Sequence, residues 1–344
     1  MANLETTYLG LKLKNPVIAG SSGLTNSVEN LKELENNGVG AIVLKSIFEE
    51  QINAETQKFL NSDNANMKDW QNTFEGIVSH KDYFYKEALE YVTNFAQQNT
   101  LSNYLSFLES AKKAVSVPVI ASINCVSNYE WTYFAKKIQD TGIDAIELNI
   151  YLLPSHFGQE DMDVEKTYLD IIREVKKYIT IPLSIKIGYY FSSLASSVQR
   201  ISQSGIDGIV LFNRPFNHDI DIDKMEFSAS NIFSNPTEYN HTLRWTGILS
   251  GRIGCEISST TGVHDYASTA KMLIAGAQTV QLASVLYQKG FGSVKEIVTG
   301  LENWMNQHNF NDIESFRGKL ALKNVENPAS YERVQFMKLY SKIE

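Results

Sequence analysis

Short apolar runs rich in β-branched residues alternate along the chain with longer amphipathic stretches. Val17-Ile18-Ala19 reads as a strand, closed by Gly20-Ser21-Ser22-Gly23. Ser27 has the character of an N-cap, because its hydroxyl can accept from an otherwise unpaired backbone N–H; Leu31 and Leu34 then predict a helix that ends near Gly38. Further strands are predicted from Ala41 to Lys45, Val117 to Ile123, Ile143 to Leu148, Leu183 to Ile187, Gly208 to Phe212, Ile257 to Ser259 and Val280 to Leu282. Helices fall between them, around Phe134 and Ile138, Ile171 and Val175, and Val198 and Ile201. The strand runs do not alternate between apolar and polar, which is the mark of parallel strands covered on both faces. Strand, helix and strand at this spacing predict right-handed βαβ units, and about eight of them predict an α/β fold of the (β/α)8 TIM-barrel type. A doubly wound open sheet is the alternative, but no Gly-x-Gly-x-x-Gly sequence opens the first unit.

Two segments break the rhythm. Residues 48–100 are rich in Asn and Gln and carry Trp70, Phe74, Tyr83, Phe84 and Tyr85; residues 214–240 are similarly irregular. Long loops after barrel strands cover the active face. No internal repeat and no domain boundary is visible, so residues 1–344 read as one domain with a C-terminal tail from about 321. The 344 residues, 43% of them hydrophobic, exceed what one barrel core requires. The net charge of −8 favours solubility and opposes a nucleic-acid surface, which needs clustered positive charge. Cys125 and Cys255 are the two cysteines and match no metal-ligand spacing, so neither a metal site nor a disulfide framework is expected. Met1-Ala2-Asn3-Leu4-Glu5 has no basic region leading into an apolar run, and no stretch reaches the length of a membrane span. A cytoplasmic protein is the expectation.

Polar residues sit at the predicted C-terminal strand ends, where barrel enzymes place their sites: Lys45, Asn124, Asn149, Lys186 and Asn213. A lysine inside an apolar strand is expensive unless its charge is paired, and Glu147 is an available partner for Lys45 or Lys186. Taken singly, an asparagine at a strand end is more often a turn residue than a ligand contact. Together, two lysines and three asparagines at one barrel mouth suit a polar, anionic ligand such as flavin mononucleotide (FMN). Thr260-Thr261-Gly262-Val263 and Ala283-Ser284 follow the last two strands, where small residues let backbone N–H groups approach a phosphate.

Asn15-Pro16-Val17-Ile18-Ala19-Gly20-Ser21-Ser22-Gly23, Lys45-Ser46, Glu147-Leu148-Asn149, Lys186, Asn213 and the closing Phe316-Arg317-Gly318-Lys319-Leu320 together resemble the dihydroorotate dehydrogenases. The resemblance spans most of residues 4–320 and lies in the order and spacing of these motifs. It implies an FMN-dependent oxidoreductase acting on a CH–CH bond, of the kind that serves pyrimidine biosynthesis. It implies cofactor contacts from Ser22, Gly23, Lys45, Ser46, Asn124, Asn149, Lys186, Ser234, Thr261, Gly262, Ala283 and Ser284, and substrate contacts from Lys45, Asn149 and Asn213. It also implies a soluble homodimer with a small-molecule substrate and no membrane anchor. Ser250-Gly251 resembles the family's phosphate loop but lies too close to Gly262 for a helix to intervene. Ser234-Asn235-Pro236, followed by a helix through Leu243-Arg244-Trp245, has the right spacing, and Gly251 reads as that helix's C-terminal glycine.

The chain departs from the family where catalysis is decided. In Asn149-Ile150-Tyr151-Leu152-Leu153-Pro154, Leu152 stands at the position of the cytosolic class's cysteine base, and a leucine accepts no proton. Phe74-Glu75-Gly76-Ile77-Val78-Ser79-His80-Lys81 lacks the asparagines of the family's substrate loop. His80, Tyr151 and His156 are the nearest replacements, though an ordinary loop role is the more frequent one for each. Two other readings stand beside the oxidoreductase: a flavin-binding barrel without turnover, and a flavin-free phosphate-binding lyase or synthase with Lys186 as a Schiff-base lysine.

Overall fold

The protein is described by a computed structural model covering residues 2–48, 101–125, 131–155, 157, 161–215 and 217–332. The segment with Trp70, Phe74 and Tyr83–Tyr85, the loop around His80, and His156 lie outside the described residues. In chain order the strands are β1 (Thr6–Tyr8), β2 (Leu11–Leu13), β3 (Val17–Ala19), β4 (Ala41–Val43), β5 (Ile47–Phe48), β6 (Val119–Cys125), β7 (Ala145–Ile150), β8 (Leu183–Ile187), β9 (Gly208–Leu211), β10 (His218–Asp221), β11 (Glu226–Ala229), β12 (Glu256–Thr260) and β13 (Thr279–Leu282). Strands β3, β4, β6, β7, β8, β9, β12 and β13 pair in parallel in that order, and β13 returns to β3. This closed ring of eight, with helices between strands, is a (β/α)8 TIM barrel.

Residues on alternate sides of each strand divide the core in two. Ile146, Leu148 and Ile150 of β7 face outward and share one apolar cluster with Ile138, Ile171 and Ile172 of the covering helices. Each such side chain contributes about 1.5–3 kcal/mol on burial. The inner face is sealed at its N-terminal end, where Tyr8, Leu9 and Leu13 of the β1–β2 hairpin pack on Ile18, Ala41, Val43, Ile120 and Ala145. The hairpin turns through Leu9 at φ 57° and Gly10 at φ 70°, the paired positive angles of a two-residue turn that matches strand twist. The Glu256 carboxylate accepts from the Leu9 N–H and so fastens the hairpin to the barrel floor.

The helix Val28–Asn36 is capped by Ser27, whose hydroxyl accepts from Asn30 N–H as expected. Strand β4 stops at Val43 rather than Lys45, and β5 resumes at Ile47 to pair with the upper half of β6. Lys45 therefore lies in the break between two strand pieces. Residues 214–240, expected to be irregular, contain the antiparallel β10–β11 pair with His218 opposite Ala229 and Asp221 opposite Glu226. Alternation of Asp219, Ile220, Asp221 and Ile222, and the apolar Phe227 opposite Ile220, carry this period-two signal in a short and mostly polar stretch. The helix Tyr239–Leu249 ends at Ser250 and Gly251, the glycine at φ 67°, and the Ser250 hydroxyl donates to Gly276 O at 3.3 Å. The pair terminates a helix, as its spacing predicted. Among the described residues, no helix is long and apolar enough to cross a membrane.

Candidate active site

Strand register gathers the predicted polar ends into one row. Asn124 of β6 is paired with Asn149 of β7, and Asn149 with Lys186 of β8. These positions alternate with the outward Leu148 and Ile150, so the three side chains project from the inner wall near the C-terminal mouth. Asn213, just beyond β9, donates its amide N–H to Asn149 Oδ1 at 2.6 Å. Lys45 is half-buried, and desolvation holds its ammonium below the ordinary lysine value. Its neighbour Ser46 is fixed by Ser21, through hydroxyls 3.0 Å apart, and by Ser122, through hydroxyls 2.7 Å apart. Ser22 caps the short turn after β3 by accepting from Leu24 N–H at 3.2 Å. A side chain on Gly23 would meet the Tyr287 hydroxyl at 2.6 Å, so a larger residue there would have to push aside the tip of that exposed tyrosine.

Below this row, the fully buried Glu147 accepts from Gln281 Nε2 across the barrel at 2.7 Å. Burial raises the Glu147 carboxyl above its ordinary value, against the opposing effects of the Lys186 cation and the Gln281 N–H. Among the described residues, Glu147 Oε1 and Gln281 Oε1 have no hydrogen-bond partner. Two buried acceptors without a donor are unfavourable, and a proton on Glu147 supplies one. A carboxyl that holds its proton more tightly in the folded state stabilises the fold below the ordinary glutamate value. That contribution is lost as pH rises through the raised folded value. Glu147→Gln should therefore flatten the decline of urea-unfolding stability across that range; equal slopes for both proteins would refute the assignment.

A second cluster forms where three loops meet. Ser234 N–H donates to the Ser284 hydroxyl at 2.9 Å, and Gly262 N–H reaches the Ser234 hydroxyl at 3.4 Å. The Ser234 hydroxyl shares a 2.9 Å hydrogen bond with His264 Nε2. Ser284 accepts within the cluster. Gly262, at φ 75°, packs against Glu238 and Tyr239, where a β-carbon would fall 2.9 Å from the Glu238 carbonyl carbon. Thr261 also has a positive φ, 73°, and its hydroxyl donates to Phe212 O at 3.3 Å. Arg214 holds the loop that carries Ser234: it pairs with Glu238 at 2.8 Å and donates to the carbonyls of Asn231 and Ile232 at 3.0 Å each. Burial keeps His264 below the usual histidine value, the Lys289 cation adding to the effect.

The structure thus brings Asn124, Asn149, Lys186 and Asn213 together at the mouth, and Ser234, Gly262, Ser284 and His264 into one hydrogen-bonded cluster. His264, Arg214 and Gln281 were not anticipated. A glutamine inside the apolar run Val280-Gln281-Leu282 was the available signal for the last. The residues fit a flavin mononucleotide: the loop cluster offers serine hydroxyls and a close glycine backbone to a phosphate, and the row offers amides and a cation to a polar ring edge. Leu152 is half-buried and packs on the outer apolar cluster. It supplies no acid or base.

Comparison with known proteins agrees with this geometry. The sequence profile of the family described as "Dihydroorotate dehydrogenase" matches residues 3–305. A dihydroorotate dehydrogenase B (NAD(+)) catalytic subunit of Thermoplasma volcanium is 26% identical over 332 residues, covering 94% of this chain and all of that protein. A subunit of the same name from Pyrococcus abyssi is 24% identical, with 93% and 99% covered. An NAD-dependent dihydropyrimidine dehydrogenase subunit of Escherichia coli is 24% identical, with 94% and 78% covered. The chain belongs to the dihydroorotate dehydrogenase family of oxidoreductases.

Proposed function

We propose that the protein is an FMN-dependent oxidoreductase acting on a CH–CH bond next to a carbonyl in a small cyclic substrate. The convergence of Asn124, Asn149 and Lys186 in one inward row, beside the Ser234–Gly262–Ser284 cluster, carries this reading. Ser234, Gly262 and Ser284 would hold the phosphate, with Thr261, Ala283 and His264 shaping the loop. Lys45, Ser46, Asn124, Asn149 and Lys186 would hold the ring system, with the backbone at Ser22 and Gly23 along its edge. FMN, when bound, supplies a reversible two-electron acceptor for hydride. Asn149 and Asn213 would orient the substrate carbonyl through amide groups that already position each other. The relatives are named for dihydroorotate and dihydropyrimidine, and a cyclic amide of that kind suits these donors. The test is the visible spectrum of the protein after FMN is supplied. A protein-bound flavin band is expected; its absence would promote the flavin-free lyase reading.

Leu152 and the altered segment 74–81 separate this chain from a standard dihydroorotate oxidase. A general base contributes about 100-fold or more. Leu152→Cys alone should still leave anaerobic bleaching of the flavin by dihydroorotate near background, because the substrate loop also differs. A gain of about 100-fold would show that the base was the single missing part.

A single cytoplasmic barrel domain, acting as a homodimer, completes the reading. The β10–β11 hairpin supports the dimer, since Ile222, Met225 and Phe227 are 82%, 87% and 74% exposed. Apolar side chains this open favour burial against another surface. Sedimentation at micromolar concentration should show a dimer that Phe227→Asp weakens. A monomeric wild type would remove the proposal.

A further inference from the structure

We propose that Tyr151 carries the proton in this site and works as an acid, giving its phenolic proton to one carbon of an activated C=C bond while hydride reaches the other. The inference rests on the flavin reading and adds to it a proton path. Tyr151 follows β7 directly, two residues beyond Asn149, and alternation places it on the inner side above Asn149. Its ring lies 3.2 Å from where a β-carbon on Gly188 would stand, and Gly188 alternates in the same way with Lys186. The phenol therefore covers the wall directly above the Asn149–Lys186 row. It is half-buried.

The surroundings favour the protonated phenol. Tyr190 lies edge-on to Tyr151 with ring centroids 6.0 Å apart, and Tyr189 is 4.8 Å from Tyr190. Burial raises the Tyr151 phenol well above the ordinary tyrosine value. Hydrogen bonding with Tyr190 and repulsion from ionised Tyr190, Tyr189 and Tyr168 would add to it. A group so placed keeps its proton at neutral pH and has one to give.

Bound FMN, once reduced by an external two-electron donor, would supply hydride to the carbon remote from the carbonyl. The C=C π bond breaks, and its electron pair takes the Tyr151 proton at the carbon next to the carbonyl. Two C–H bonds have formed, and water restores the phenol through Tyr190. The substrate class is an alkene conjugated to a carbonyl, with Asn149 donating to that carbonyl.

Two measurements test this on FMN-supplied full-length protein. In the first, wild type, Tyr151→Phe and the exposed control Tyr178→Phe are reduced with dithionite and mixed anaerobically with 2-cyclohexenone. The wild type and Tyr178→Phe should reoxidise, and Tyr151→Phe should do so about 100-fold more slowly while keeping its flavin band. Equal rates, or no reoxidation of the flavin-loaded wild type, would overturn the proposal. The second uses tyrosine labelled with 13C at Cζ, assigned by the signal missing in Tyr151→Phe, and needs neither cofactor nor turnover. The Tyr151 resonance should remain that of a phenol beyond about pH 10, where free tyrosine ionises. A phenolate already at neutral pH would overturn the assignment of Tyr151 as the proton donor. Absence of a flavin band in every protein is failure of the flavin reading, and the resonance then still decides the protonation state.

Discussion

Gly262→Ala is expected to lose bound flavin and to unfold at markedly lower urea concentration than the wild type. Two effects add at this residue. Its φ of 75° is a left-handed backbone angle that costs a non-glycine residue about 1–2 kcal/mol. The new β-carbon would also press into the Tyr239 backbone nitrogen and the Glu238 carbonyl carbon, neither of which can rotate away as a side-chain tip could. Overpacking of this kind costs about 1–3 kcal/mol more. The displaced backbone is the one whose N–H points at Ser234, so the cluster opens as the fold weakens. Gly142 separates the two effects. It has φ 82° but nothing within 4 Å of its β-carbon position, so Gly142→Ala should show the conformational cost alone and keep its flavin. If Gly262→Ala and Gly142→Ala prove equally mild and equally yellow, the close packing of the cluster is not what holds the ligand.

Lys186→Ala should weaken FMN binding about ten- to a hundredfold, measured by equilibrium titration of the apoprotein. A hydrogen bond to a charged group contributes about 1.5–3 kcal/mol, and each 1.4 kcal/mol is tenfold in affinity. The fold should survive, because the neighbour most affected is Glu147. Its carboxyl is already held toward the neutral form by burial, and loss of the Lys186 cation removes one influence that favours ionisation. A neutral carboxyl requires no counter-charge. In the Glu147→Gln background the added effect of Lys186→Ala on folding stability should therefore be small, while its effect on FMN affinity remains. Unchanged affinity in Lys186→Ala would remove Lys186 from the cofactor site.

Much of this architecture is legible in the sequence, for a physical reason. Parallel strands covered on both faces must be apolar throughout, so Leu183–Ile187 and the core of each other barrel strand stand out as short apolar runs. Local chemistry is equally readable: Ser27 at the head of a helix and Gly251 past the end of another are set by backbone groups a few residues away. Polar residues at strand ends mark the mouth, because a lysine or asparagine inside such a run requires a partner or a ligand. Short pieces with weak periodicity were not legible. The β1–β2 hairpin, the β5 fragment and the β10–β11 pair each have too few residues to show their period against a polar background.

Order and spacing along the chain thus determined the barrel and the family. Tertiary structure alone decided which polar groups meet. Gln281 reaches Glu147 from 134 residues away, across the ring, because barrel closure puts β13 and β7 on facing walls. His264 meets Ser234 because Arg214 ties down a loop that the sequence shows only as irregular. Tyr151 gains its place above Lys186 from strand register and from the missing side chain of Gly188. Such pairings depend on closure and register, which many distant contacts settle jointly, and no local pattern of residues encodes them.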